Sequence, residues 1–119
     1  MSKQIQDAYI VAATRSPVGK APRGVFRHVR PDDLLAHVLN AAMSQVPSVE
    51  RGAVDDVVVG CAMPEAEQGM NVARIALLLA GFPNTVSGLT VNRFCSSGLN
   101  AVAIAADRIR RRPARSPGR

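Results

Sequence analysis

The chain has 119 residues, 47% of them hydrophobic and 3% aromatic, with no Trp; this is one small domain with a core of Val, Leu, Ile, Ala and Met, and it excludes a disordered polypeptide. The formal charge of +6 does not belong to the body: nine Lys and Arg face nine Asp and Glu before residue 108, and the other six Arg all lie from Arg108 onward with no acid among them. A neutral body with a basic end argues against a nucleic-acid-binding face spread over a fold.

Residues 8–13, YIVAAT, are a short run of strand formers and predict a buried strand. Pro17, Gly19, Pro22 and Gly24 break the chain into a loop. A helix is predicted from Pro31, with Asp32 and Asp33 in its first turn, where the helix dipole favours acids. Leu34, Leu35, Val38, Leu39, Ala42 and Val46 mark its apolar face, and Pro47 ends it. VDDVVVG (54–60) predicts a second strand and CAMPEAEQGM a loop. NVARIALLLAGFP predicts a helix closed by Gly81 and Pro83, apolar almost all round and so buried on several sides. TVSGLTVN (85–92) predicts a third strand. The helix after Cys95 carries Leu99, Val102, Ala103 and Ala106 on one stripe, and its other faces are mostly Ala, which predicts close packing on more than one side.

Strand and helix thus alternate three times, which predicts an α/β layered fold with largely parallel strands over residues 1–107. Residues 108–119, with Pro113, Pro117 and Gly118 among the arginines, predict a disordered tail. The N-terminus lacks the apolar core of a signal peptide, and the longest apolar run, IALLLAGF, is too short to span a bilayer. Two cysteines, Cys61 and Cys95, suggest neither a disulfide framework nor a metal site. These features predict a soluble, cytoplasmic protein.

Cys95 stands where the third strand turns into a helix, in TVNRFCSSGLNAVA. The nucleophilic form of cysteine is the thiolate, and the unpaired N–H groups and positive dipole end of a helix favour it. Ser96, Ser97 and Gly98 are small, so a substrate could approach the backbone there, and backbone N–H groups could meet a developing oxyanion. On placement alone, a small buried hydrophobe is the favoured reading of both Cys95 and Cys61. His37 lies opposite the apolar stripe of its helix, and His28 lies in a basic loop with Arg15, Arg23, Arg27 and Arg30. A solvated loop explains these arginines; phosphate contacts are the alternative.

TVNRFCSSGLNAVAIAADRI resembles the nucleophile segment of the thiolases, and more narrowly of the degradative 3-ketoacyl-CoA thiolases (acetyl-CoA C-acyltransferases). IVAATRSPVGK is similar to the family's opening strand and Arg-Thr-Pro-Gly loop, with Ser16 where Thr is usual. VDDVVVGCAMPEAEQGMNVAR is similar to its second strand, glutamine-glycine loop and Asn-x-Ala-Arg helix start. The resemblance implies that Cys95 attacks the ketone of a 3-ketoacyl-CoA, releases acetyl-CoA and passes the shortened acyl chain to a second coenzyme A. It implies coenzyme A as substrate rather than cofactor, dimeric or tetrameric assembly, a turn made by Ser96 and Gly98, and a structural role for Asn71 and Arg74 near the subunit interface.

A family thiolase is about three times this length, counted by its domains, and its activating histidine, second catalytic cysteine and main oxyanion histidine lie in later portions. His28, His37 and Cys61 match none of them. Two family strands that lie between the first strand and the other two are missing, so the 119 residues are expected to leave strand edges unpaired, not to fold stably alone, and to be inactive alone. The change of composition after ADRIR suggests a truncated or frame-shifted reading. The alternatives are a basic tail that holds phosphates, a short thiolase-like protein lending Cys95 to a partner chain, or, from another class, an interaction module whose arginines bind nucleic acid.

Overall fold

A computed structural model describes residues 5–112. Its regular elements are α1 (Pro31–Ser44), β1 (Asp56–Gly60), α2 (Val72–Leu79), β2 (Ser87–Val91) and α3 (Ser97–Arg111), joined in part by short 3-10 turns. β1 and β2 pair in parallel, with register running from Asp56↔Ser87 to Gly60↔Val91. α1, β1, α2 and β2 each fall within the segment predicted for them, and α3 starts after Cys95 as predicted but runs past its predicted end. The fold is α/β: a parallel sheet with helices against it.

The predicted strand at 8–13 is not one. These residues run as irregular chain, with Tyr9 77%, Ile10 82% and Val11 70% exposed. A strand exists only through a ladder of hydrogen bonds to a neighbour, and the segment finds side chains instead. The Gln45 side-chain amide donates to the Ala13 carbonyl (2.9 Å) and accepts from the Ala13 amide (3.0 Å). Gln6 donates through its side chain to the Ile109 carbonyl (2.7 Å). Strand and helix therefore alternate twice among the described residues, after an opening helix, rather than three times.

Alternation along β1 sorts its side chains between two faces. Val57 and Val59 join Leu77, Ala80, Phe82 and Val86 in a core that also takes Ala36, Leu39 and Met43 of α1. Val58 faces Ile104 and Ala105 of α3 across an open groove. Leu77 and Val86 are fully buried. α2 leaves this core through Gly81, whose φ of +88° lies in the left-handed region that glycine takes without strain.

Two expectations about helix faces are overturned. On α2, Val72, Ala73, Ala76 and Leu77 are buried, while Ile75, Leu78 and Leu79 are exposed, so it is covered on one side only. On α3, the stripe of Leu99 (77% exposed) and Val102 (57%) with Ala103 points to solvent. The sheet instead takes Ser97 and Ala101, with Ile104 and Ala105 half-buried. Small side chains let α3 lie close to the sheet, and the larger apolar ones are left on the side that has no neighbour. α3 also continues through Arg111, four residues into the segment predicted to be disordered; residues 113–119 lie outside the described residues.

Candidate active site

Parallel strands end at one edge of the sheet, and in α/β folds ligands bind outside that edge. β1 exits there into Cys61, whose amide extends the ladder to the Val91 carbonyl (2.9 Å). β2 exits there into Asn92 and Arg93, the 3-10 turn Phe94–Ser96 and then α3. Cys95 lies inside that turn, exposed and reduced. Cys61 is half-buried.

The turn is tightly hydrogen-bonded for its length. Phe94 has a φ of +48°, a left-handed conformation uncommon outside glycine. Its amide donates to Asn92 Oδ1 (2.8 Å). The Ser97 hydroxyl accepts from the Arg93 amide (2.8 Å) and donates to the Phe94 carbonyl (2.7 Å). Ser97 is 3% exposed, whereas Ser96 is exposed. The resemblance implies a turn at Ser96 and Gly98, and Ser96 is the last residue of the 3-10 turn; the side chain that closes the turn is Ser97. A Ser at the start of the predicted helix, a residue type that hydrogen-bonds backbone groups three and four positions back, is the signal that could have singled it out.

Asn71 and Arg74 tie α2 to β2. Asn71 Oδ1 accepts from the Arg74 amide (3.4 Å) and the Thr90 hydroxyl (2.7 Å), and its Nδ2 donates to the Gly88 carbonyl (2.9 Å). The Arg74 guanidinium donates to the carbonyls of Val86 and Asn84. Within this chain both residues orient the helix against the strand that leads to Cys95.

His28 and His37 are exposed, one in the basic loop and one on α1, which packs on α2 rather than on the Cys95 turn. Arg15, Arg23 and Arg27 are exposed as well. Arg30 is engaged: it forms a two-pronged pair with the buried Asp32 (3.0 and 3.1 Å) and reaches Glu67 (3.4 Å). The hydrogen bond from Arg30 holds the Asp32 carboxyl below its ordinary range. No His, Cys, Asp and Glu cluster suited to a metal ion exists among the described residues, and none of their helices is long and apolar enough to cross a membrane.

A groove of about 740 Å³ lies at the other end of the sheet, between the starts of β1 and β2 and the second half of α3. Arg108 and Arg112 form ion pairs there with Asp56 and Asp55. The groove is remote from the strand exits, and two of its cations are already matched by carboxylates.

Comparison with known proteins gives the same reading as the fold. Residues 8–115 match the thiolase N-terminal domain. The chain is 50% identical over 105 residues to the 3-ketoacyl-CoA thiolase of Bacillus subtilis (strain 168), covering 88% of this chain and 27% of that protein. It is 45% identical over 102 residues to the 3-ketoacyl-CoA thiolase of Klebsiella pneumoniae, over 86% and 26%. The crystal structure of the Bacillus anthracis acetyl-CoA acetyltransferase superposes with a TM-score of 0.85 at 39% identity, covering 92% of this chain and 27% of that one. The chain belongs to the thiolase family. The part of the family that it represents is the N-terminal domain, and it spans about a quarter of the length of these relatives.

Proposed function

We propose that this chain is the nucleophile-bearing part of a thiolase-type acyltransferase that cleaves 3-ketoacyl-CoA with coenzyme A. The observation that carries the reading is an exposed thiol in the turn between the sheet's exit edge and the first turn of α3. The Cys95 thiolate adds to the C3 carbonyl. The C2–C3 bond then breaks, its electron pair leaves on C2 as the enolate of acetyl-CoA, and that carbon takes a proton. The shortened acyl group stays on Sγ as a thioester until the thiol of a second coenzyme A attacks its carbonyl and Cys95 leaves as thiolate.

The chain supplies the nucleophile and its position. It places neither imidazole in the Cys95 turn, and general-base assistance is worth ~10²–10⁴-fold. The 119 residues on their own should therefore acylate slowly and fail to turn over. The complete enzyme would act in fatty-acid β-oxidation, in the cytoplasm, as a dimer or tetramer, as the family resemblance implies. The nucleic-acid reading is weaker, because Arg108 and Arg112 are paired with acids of the same chain.

The test is to incubate the chain with acetoacetyl-CoA and map adducts by peptide mass spectrometry. An acetyl group on Cys95, absent from Cys61 and lost in Cys95→Ser, is expected. Acetylation of both cysteines alike, or of neither, would refute the assignment.

A further inference from the structure

We propose that Ser97 is a positioning residue for Cys95, with Gly60 providing the space in which it works; this rests on Cys95 being the nucleophile of the proposed reaction. Cys95 is exposed and Phe94 beside it is 71% exposed, so side-chain packing does not hold the turn. Its position comes from hydrogen bonds to its backbone, and the Ser97 hydroxyl supplies two of them. One hydroxyl takes the Arg93 N–H and gives its own proton to the Phe94 carbonyl. Both its donor and an acceptor position are used, and the side chain is nearly sealed from water. The bracketed unit is the residue with the left-handed backbone, immediately before Cys95. Such a conformation costs of order 1–3 kcal/mol and persists only where its surroundings hold it.

Gly60 sets how deep Ser97 can sit. A Cβ on Gly60 would lie 2.3 Å from the Ser97 carbonyl carbon and 2.4 Å from the Gly98 nitrogen. Only a residue without a side chain lets the first turn of α3 rest on the end of β1. There the Ser97 hydroxyl reaches back to Arg93 and Phe94. Cys95 is thereby held at the end of α3, and the favourable field of a helix end fades within its first turn. A released turn takes the thiol out of that field.

The experiment uses the 119-residue chain and two readouts. The first is iodoacetamide labelling of Cys95 relative to Cys61, an internal reference, at pH 7 and pH 10. Ser97→Ala is expected to lower the Cys95:Cys61 ratio about ten-fold at pH 7 and to leave it nearly unchanged at pH 10, since thiolate formation limits alkylation of any thiol at the lower pH and not at the higher. Ser97→Thr, which keeps the hydroxyl, should restore the ratio. An unchanged ratio at pH 7 in Ser97→Ala, or an equal loss at both pH values, overturns the proposal. The second readout needs no variant: the Arg93 amide, whose partner is the Ser97 hydroxyl, should exchange with solvent deuterium as slowly as the hydrogen-bonded amides of the second turn of α3. If Ser97→Ala unfolds the chain and both cysteines react faster, this second readout decides: slow exchange supports the clasp and fast exchange overturns it. Absence of an acetyl adduct on Cys95 would instead sink the reaction and leave both readouts valid.

Discussion

The two faces of the sheet are built from similar residues and end in different states. On the face covered by α2 and α1, Leu77 and Val86 are fully buried and Phe82 nearly so. On the face covered by α3, the buried positions are Ser97 and Ala101, while Leu99, Val102 and Ile109 of the same helix stay exposed. Hydrophobicity decides what would gain from burial, and a neighbour decides whether burial happens. The first face has its neighbour within the chain. The second has one helix laid on it by its small side, with a larger apolar stripe turned outward.

Truncation in the core should separate the two faces most sharply. Leu77→Ala is expected to cost about 2–5 kcal/mol, whereas Leu99→Ala should stay within about 0.5 kcal/mol. Urea titration followed by circular dichroism measures both. An equal loss for Leu99 would break the comparison, since it would mean that something covers the α3 stripe in solution. Both values presuppose a cooperative transition of the 119 residues, and observing one would overturn the expectation that they do not fold stably alone.

Next in size is the joint between α2 and β2. Asn71→Ala removes the acceptor for the Arg74 amide and Thr90 hydroxyl and the donor to Gly88, at about 1 kcal/mol. A null result in the same titration would show that the Arg74 contacts to Val86 and Asn84 suffice.

The pH dependence of the first face should follow Asp32. Its carboxyl is held below its ordinary range by the Arg30 hydrogen bond, so the native state binds this proton less readily than the unfolded chain. The stabilisation is therefore fully present above the usual carboxylate range and is lost as pH falls through the lowered native value. Asp32→Asn should flatten the acid limb of the stability profile. An unchanged limb would place the acid sensitivity elsewhere.

Smallest of all should be the ion pair between Arg112 and Asp55 beside the groove on the second face. Both side chains are about half exposed, and such pairs contribute about 0–1 kcal/mol. Arg112→Ala should shift the urea midpoint barely, and less still at high salt. A loss near that of Asn71→Ala would sharpen the view that the second face depends on charge where it lacks apolar cover.

Much of the fold was legible along the chain. Pro31 with two acids marks the start of α1, Gly81 and Pro83 close α2, and the Val run before Gly60 and the Leu-Thr-Val before Asn92 mark β1 and β2. Each is a local signal, carried by backbone preference or by spacing within one element. The position of Cys95 between strand and helix was legible for the same reason. What misled was any inference that needed a neighbour: YIVAAT has the composition of a strand and no ladder to join, and the α3 stripe has the spacing of a buried face and no surface against it.

Composition, periodicity and punctuation by themselves determined the five elements, their order and the thiol at the turn, because these depend on residues within a few positions of one another. Tertiary structure alone decided which face of α3 meets the sheet and that Gly60 must lack a side chain. Those outcomes depend on distances between atoms far apart along the chain, such as the Cβ that Gly60 would place 2.3 Å from Ser97, and no local pattern carries that information.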